Sequence, residues 1–362
     1  MDEIETILHI YAGQHIQVFT ESGEWFLESR TLDATQPVNM VLATRSGISP
    51  LVAPVFADGT VIFLQSGGQT LHELAWAEAG QRYLSEPVTV LAPHLLRDVV
   101  AVASRPAQSV REGSQLAITN KDGTLVMLTL LRSQEVVAAV QWSTPAGAFR
   151  GVVSTIGHDF VFLVEREGDH WLETWNPSMP LDCATRVVGS DVASVSGLPF
   201  SDGQQVWAYV DDDLYGPLTV EAGAVALPVA GADVTVGLAP PWRARLPVVR
   251  AKPGQEQPWR PPMRIYECEL ALVSTGDVTI ATNGRAHRQV PLLKESYGAS
   301  RGGPLQTADG GDPSLPLMQR LYTGTRRVQG LTGWSVHAFV ELSRSVPAPV
   351  HVKSVRLEVA HG

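Results

Sequence analysis

Two cysteines in 362 residues, Cys183 and Cys268, are too few for a disulfide framework, and neither stands in a Cys-x-x-Cys or other metal-ligand spacing. Such cysteine usage fits synthesis in a reducing cytosol. Long apolar runs are missing too: none approaches the roughly 18 residues that a membrane-spanning helix needs. The start of the chain, MDEIETILHI, is acidic where a secretory signal would be basic, so Sec export is not expected. The ten histidines form no i, i+4 pairs, and His72-Glu73 has no histidine four residues on, which excludes a helical zinc motif. Ser66-Gly67-Gly68 is no Gly-x-Ser-x-Gly elbow. Gly302-Gly303 lacks the lysine and the strand-to-helix setting of a phosphate loop. Charged residues make up only 18% of the chain.

Glycine and proline are abundant: 32 glycines and 25 prolines, 57 of the 362 residues, are spread along the whole length. That density punctuates many short strands rather than a few long helices. Pro50 to Leu95 shows the pattern well. It reads as strand, Asp58-Gly59 turn, strand, Gly67-Gly68 turn and a third strand ending at Trp76. Asp-Gly and Gly-Gly supply the positive φ that two-residue hairpins need. Ser85-Glu86-Pro87 carries helix-start signals, and a second short helix can be drawn from His94 to Val100. Similar strand-turn-strand series cover Ile4 to Glu28, Gln115 to Trp142 and Phe149 to Trp175, each with a tryptophan at or near its last strand. Serial antiparallel meanders are how propeller blades are built.

The expected fold class is therefore mainly β: a propeller-like series of antiparallel meanders, a small β-barrel or sandwich module, and a C-terminal β region. Residues 1–180 form the meander domain and 181–242 the small module, in which Gly197 to Trp242 gives four short strands. Residues 243–264 read as a basic, proline-stiffened arm or linker. Residues 265–362 complete the chain, with a glycine-rich loop at 296–314.

The net charge of −10 is unevenly placed. Asp159 to Pro240 holds 13 acidic and 2 basic residues, whereas Pro241 to Gly362 is net basic. Two solvated surfaces explain this equally well as head-to-tail contact between copies, acidic face to basic face. Among acidic clusters, Asp211-Asp212-Asp213 reads as a solvated turn rather than a Ca²⁺ loop, since no EF-hand spacing follows. Glu165, Glu167 and Glu173 suggest a glycosidase carboxylate pair, though surface strand carboxylates are common. The tryptophans could stack on sugars, but at the ends of blade strands they read as core, and Gln65 to Trp76 reads as scaffold. No catalytic residue, metal site or cofactor follows from the residues, and a structural or interaction protein is expected rather than an enzyme.

Three separated segments carry a resemblance. They are "FLQSGGQTLHELAW" followed by "RYLSEPVTVLAPHLL", the Gly197 to Trp242 run ending "VTVGL" before an aromatic exit, and "YTG…GW…PAPVHVKSV" from Tyr322 to Val355. In this order they resemble the nozzle (tubular tail) proteins of short-tailed bacteriophages, which often carry a considerable further length ahead of the equivalent of Ile4. The resemblance implies a virion tail protein made in the host cytoplasm: a hexameric ring below portal and adaptor through which DNA is ejected. Tail adaptor, tail fibres and tip or needle proteins are the implied partners, and genomic DNA passes through the lumen without sequence-specific binding. An acidic or neutral lumen lets DNA slide, so Asp211, Asp212 and Asp213 become channel-facing candidates. Arg243, Arg245, Arg250, Arg260 and Arg264 become inter-subunit candidates. The alternative is a carbohydrate-binding or hydrolysing β-propeller, or a cytosolic propeller scaffold.

Overall fold

In the computed structural model the described residues are 5–29, 34–35, 37–109, 112–248, 262–292 and 321–361. They are built from strands and two single 3₁₀ turns, Pro93–Leu95 and Arg132–Gln134. None of their helical segments is long and apolar enough to cross a membrane. The chain divides into two compact units, Met1–Asn176 and Pro177–Gly362.

The first unit is a series of four antiparallel sheets. The first runs β1 (Ile7–Ala12), β2 (Ile16–Thr20), β3 (Glu24–Leu27), β4 (Met40–Thr44), in that spatial order. The second repeats the pattern with β5 (Val55–Ala57), β6 (Thr60–Leu64), β7 (Leu71–Ala77) and β8 (Arg82–Pro87). The third holds β9 (Val99–Arg105), β10 (Ser114–Asn120), β11 (Leu125–Leu131) and β12 (Val136–Trp142). The fourth has three strands, β13 (Ala148–Ser154), β14 (Phe160–Arg166) and β15 (Asp169–Thr174). The turns are local chemistry. Asp58 and Gly59 take φ of 48° and 87° between β5 and β6, and Glu167 and Gly168 take 53° and 91° between β14 and β15. Such mirror-image turns match the strand twist.

Successive sheets of this unit bury shared cores. Phe19 and Phe26 of the first pack with Val61, Phe63 and Leu74 of the second. Ile62, Leu64 and Leu71 of the second pack with Leu116, Ile118 and Leu128 of the third. Met127 and Leu125 of the third pack with Phe149, Phe160 and Phe162 of the fourth. Each such side chain contributes about 1.5–3 kcal/mol on burial. Serial meanders sharing faces in this way make the unit propeller-like. The helix expected after Ser85 is instead strand β8. Tyr83, 2% exposed, is locked opposite Trp76 in the β7–β8 ladder. Pro87 ends an edge strand, where its missing N–H costs nothing.

The second unit opens with the sheet β16 (Asp182–Ser196), β17 (Gln205–Val210), β18 (Asp213–Thr219) and β19 (Ala224–Leu238), ordered β16-β19-β17-β18. Its core contains Val206, Ala208, Val210, Val225, Val234 and Val236. Next come β20 (Arg243–Pro247), β21 (Met263–Thr275), β22 (Thr279–Thr282) and β23 (Arg288–Gln289). The unit closes with β24 (Tyr322–Gln329), β25 (Trp334–Ser335), β26 (Phe339–Ser343) and β27 (Val352–His361). One sheet is ordered β20-β26-β22-β23, and the other sets β24, β25 and β27 against the long strand β21. The two sheets share a core that includes Ile265, Leu270, Ile280 and Val340, all fully buried. The stretch expected as an arm from residue 243 thus begins as a strand, Arg243–Pro247, paired with β26. Arg250, Arg260 and the loop 296–314 lie outside the described residues.

Candidate functional site

The first two sheets assemble a strip of aromatic rings around one buried amide. The β1–β2 register sets Tyr11 opposite Gln17, and the β2–β3 register sets Gln17 opposite Phe26, so these three side chains share a face. Beyond Phe26 the ring of Trp76 lies 5.8 Å away and that of Tyr83 5.1 Å away, both edge-on. Trp76 and Tyr83 are themselves 5.0 Å apart. His15, in the turn before β2, closes the group at 4.7 Å from Trp76, with its Nδ1 3.2 Å from the Tyr83 hydroxyl. At the other end of the strip Tyr11 stacks on Phe56 at 6.5 Å and 6°. Phe56 is 51% exposed, while Tyr83 and Phe26 are 2% and 4% exposed. Edge-to-face pairs of this kind each contribute about 0.5–1.5 kcal/mol beyond area burial.

Gln17 sits among these rings with 3% exposure, and its carbonyl oxygen Oε1 accepts no hydrogen bond from the described residues. Leaving an amide group buried and unmatched costs about 1–3 kcal/mol. Aromatic faces, an unmet acceptor, an imidazole and a phenol hydroxyl together suit a ligand with C–H faces and hydroxyl edges.

A polar chain runs across the same two sheets. Glu24, fully buried, accepts from the hydroxyl of Thr44 and from Ser46 N at 3.2 Å. Burial holds its carboxyl above the usual carboxylate range, against the opposing pull of those hydrogen bonds. Ser46 Oγ is 3.3 Å from Ser85 Oγ, which is 3.0 Å from His72 Nδ1. Burial pushes the His72 imidazole down, so it is neutral at neutral pH. The chain ties β3, β4, β7 and β8 together on the face that carries Phe26, Trp76 and Tyr83.

The sequence-derived candidates fall elsewhere. His72 and Glu73 diverge: His72 meets Ser85, and Glu73 receives Arg132, whose backbone N–H also donates to Asp58 at 2.9 Å. Glu165 and Glu173 lie on opposite faces of the fourth sheet, because Glu165 pairs with His170 while Glu173 pairs with core residue Phe162. Each is held by its own arginine, Arg150 at 2.6 Å and Arg166 at 2.8 Å. They are not a glycosidase pair. Asp211 caps a turn by accepting from the N–H groups of Ala232 at 3.0 Å and Asp233 at 2.9 Å. Asp213 titrates above its ordinary range through burial and then the charges of Asp212 and Asp211. Arg245 pairs with Glu341 at 3.2 Å, Arg243 approaches the same carboxylate at 4.0 Å, and Arg264 Nη2 donates to Leu331 O at 3.3 Å. Residue patterning raised only Trp76 of the strip, as one of several tryptophans able to stack on sugars, and read it as core. Tyr11, Gln17 and Phe26 are far apart in simple motif terms, and only the β1–β2–β3 register aligns them. The one further signal was a glutamine flanked by Ile16 and Val18 in strand β2.

No protein-family model matches the chain, and no curated protein matches it. Among solved structures, it is similar to an exo-β-1,3-galactanase from Phanerochaete chrysosporium with galactose, at 9% identity and a TM-score of 0.30. The alignment covers 96% of this chain and 80% of that one. Two variants of the same enzyme with β-1,3-galactotriose match over the same shares, at 9% and 8% identity and TM-scores of 0.30 and 0.29. Two expectations are corrected here. The tail-nozzle function and the expectation of no enzymatic activity are corrected by this finding: the three similar structures are exo-β-1,3-galactanases, and none of them is a tail protein. At this identity and TM-score the likeness transfers no activity, substrate or site to the chain.

Proposed function

We propose that the chain is a carbohydrate-recognising, propeller-like β protein whose binding surface is the aromatic strip of the first unit. The observation that supports the reading most is Gln17 Oε1, buried among aromatic rings with no donor from the described residues. A pyranose offers what this surface lacks. Its C–H groups lie on the exposed ring of Phe56 and the half-buried ring of Trp76, and a hydroxyl reaches Gln17 Oε1 as the surrounding rings part. The His15 imidazole and the Tyr83 hydroxyl, already 3.2 Å apart, form a polar rim for further hydroxyls. Shape and ring stacking select the sugar, and one amide fixes its orientation.

A glycan array probed with the full chain tests this, with β-1,3-linked galacto-oligosaccharides included in the panel. The wild-type chain is expected to retain a defined set of glycans. Trp76→Ala and Gln17→Leu are expected to lose that set, while Trp171→Ala, on the fourth sheet, keeps it. Absence of glycan binding by the wild-type chain, or binding indifferent to Trp76 and Gln17, contradicts the reading. Incubating the retained glycans with the chain and assaying released sugar tells recognition from hydrolysis.

A further inference from the structure

The outer strands of the first unit's sheets differ in protection: β4 (MVLAT) and β12 both lack charge and proline, but β4 is largely half-buried whereas β12 is mostly exposed. β8 carries Arg82, Glu86 and Pro87, and β15 carries Asp169, His170 and Glu173. These are the charges and proline with which edge strands ordinarily block further pairing. β12, the outer strand of the third sheet, reads VVAAVQW and carries no ionisable residue and no proline. Among the described strands it is hydrogen-bonded to β11 alone. Its other edge therefore presents a row of backbone N–H and C=O groups without strand partners. Val136, Val137 and Val140 are 38%, 47% and 56% exposed, and Val90 and Leu91 nearby are 61% and 88% exposed. Leu91, Leu95 and Leu128 join Val137 and Ala139 in lining an open cavity of about 250 Å³ beside this strand.

We infer that β12 is a self-association edge, and that its occupant is β12 of a second copy of this chain, paired antiparallel about a two-fold axis through Ala139. The unpaired backbone row calls for an extended strand. The sequence of β12 then complements itself: Val136 meets Trp142 and Ala138 meets Val140 of the other copy, with Ala139 facing Ala139. Aliphatic–aromatic and aliphatic pairs of this kind are the ones that stabilise antiparallel ladders. Charge favours the same contact. Each copy carries −10, so approach is opposed wherever acidic surface meets acidic surface. A neutral seven-residue edge is where that opposition is least. The Val90–Leu91 turn and the cavity beside Val137 add apolar area on one side of the ladder. An isologous contact of this type closes at two copies and joins two four-stranded sheets into one of eight strands. It stands independently of the carbohydrate reading, because it shares no residue with the aromatic strip.

Sedimentation velocity of the full chain across the micromolar range tests the inference. The wild type is expected to shift from monomer to dimer as concentration rises. The exposed double substitution Val137→Lys/Val140→Lys is expected to raise the dimer dissociation constant at least about tenfold, with an unchanged circular dichroism spectrum. Val188→Lys, also exposed but on β16, leaves the dimer intact. Hydrogen exchange of the β12 amides slows with concentration in the wild type only. A wild-type monomer throughout the range overturns the inference, as does an assembly that the two lysines leave unchanged.

Discussion

Replacing Arg166 by methionine tests how the fourth sheet is held. Arg166 is 3% exposed, and the bonds of its guanidinium include four strong ones. Two run as a bidentate pair to Glu173, at 2.8 and 3.1 Å. One reaches Pro145 O and one Thr144 Oγ1, each at 2.6 Å. Removing one partner of a buried ion pair costs about 3–5 kcal/mol, because the other charge is left uncompensated. The Glu173 side chain keeps 18% exposure, so water offsets part of this, and the lower end, about 3 kcal/mol, is expected. For a unit the size of Met1–Asn176, each kcal/mol shifts the midpoint by about 2–4 °C, which places the loss near 6–12 °C. Adding Glu173→Leu to Arg166→Met removes the orphan carboxylate and is expected to restore all but about 1–2 kcal/mol, the remainder being Thr144 Oγ1 and Pro145 O. The assay is hydrogen exchange of β14 peptides in the full chain, which reads local opening, alongside thermal melts. A single substitution costing under about 1 kcal/mol, or a double no more stable than the single, refutes the reasoning.

Other consequences are as direct. The Glu24 carboxyl titrates above its ordinary value in the folded chain, through burial. Its contribution is fully present below the ordinary carboxylate range and is lost as pH rises through the raised value. Glu24→Gln is therefore expected to flatten the fall in stability between acidic and neutral pH; denaturant midpoints against pH check it, and an unchanged slope contradicts it. Asp277 is fully buried and accepts from Gln289 Nε2, Ser345 N at 2.5 Å, Ser345 Oγ at 2.9 Å and Val346 N at 3.1 Å. Asp277→Ala strands those donors and is expected to cost about 3 kcal/mol or more in urea unfolding, against under about 1 kcal/mol for exposed Asp202→Ala. Burial pushes the Cys268 thiol up to about 12, while Cys183 is only half-buried. Ellman's reagent is expected to modify at most Cys183 in the native chain and Cys268 only after unfolding.

The β-meander architecture was legible in turn chemistry. Asp58-Gly59, Lys121-Asp122-Gly123 and Glu167-Gly168 mark hairpins because positive φ is a local demand, met by the residues themselves. Strand β8 was not legible, since Ser85-Glu86-Pro87 carries helix-start signals locally. Burial of Tyr83 against Phe26 and Trp76, a contact between two sheets, overrides them. The separation of Glu165 from Glu173 onto opposite faces follows from the β14–β15 register alone. A count of carboxylates along the chain cannot supply it. The candidate site was hidden for the same reason. Trp76 reads as core in its own strand, and it becomes part of a strip only once β2 and β3 bring Gln17 and Phe26 beside it. Charge asymmetry between the acidic stretch 159–240 and the basic stretch after it was plain. In the fold a few of these charges pair within the second unit, such as Arg186 with Asp233 and Arg327 with Glu269 at 2.6 Å, but with two basic residues against 13 acidic ones the acidic stretch keeps its excess.

Hydrogen exchange of the full chain with and without a retained glycan is the most direct measure of the central claim. Recognition by the aromatic strip predicts slowed exchange in peptides covering Ile16–Thr20, Leu71–Ala77 and Arg82–Pro87, with the second unit unaffected. Slowing confined to other strands, or none at a concentration that saturates binding, contradicts it.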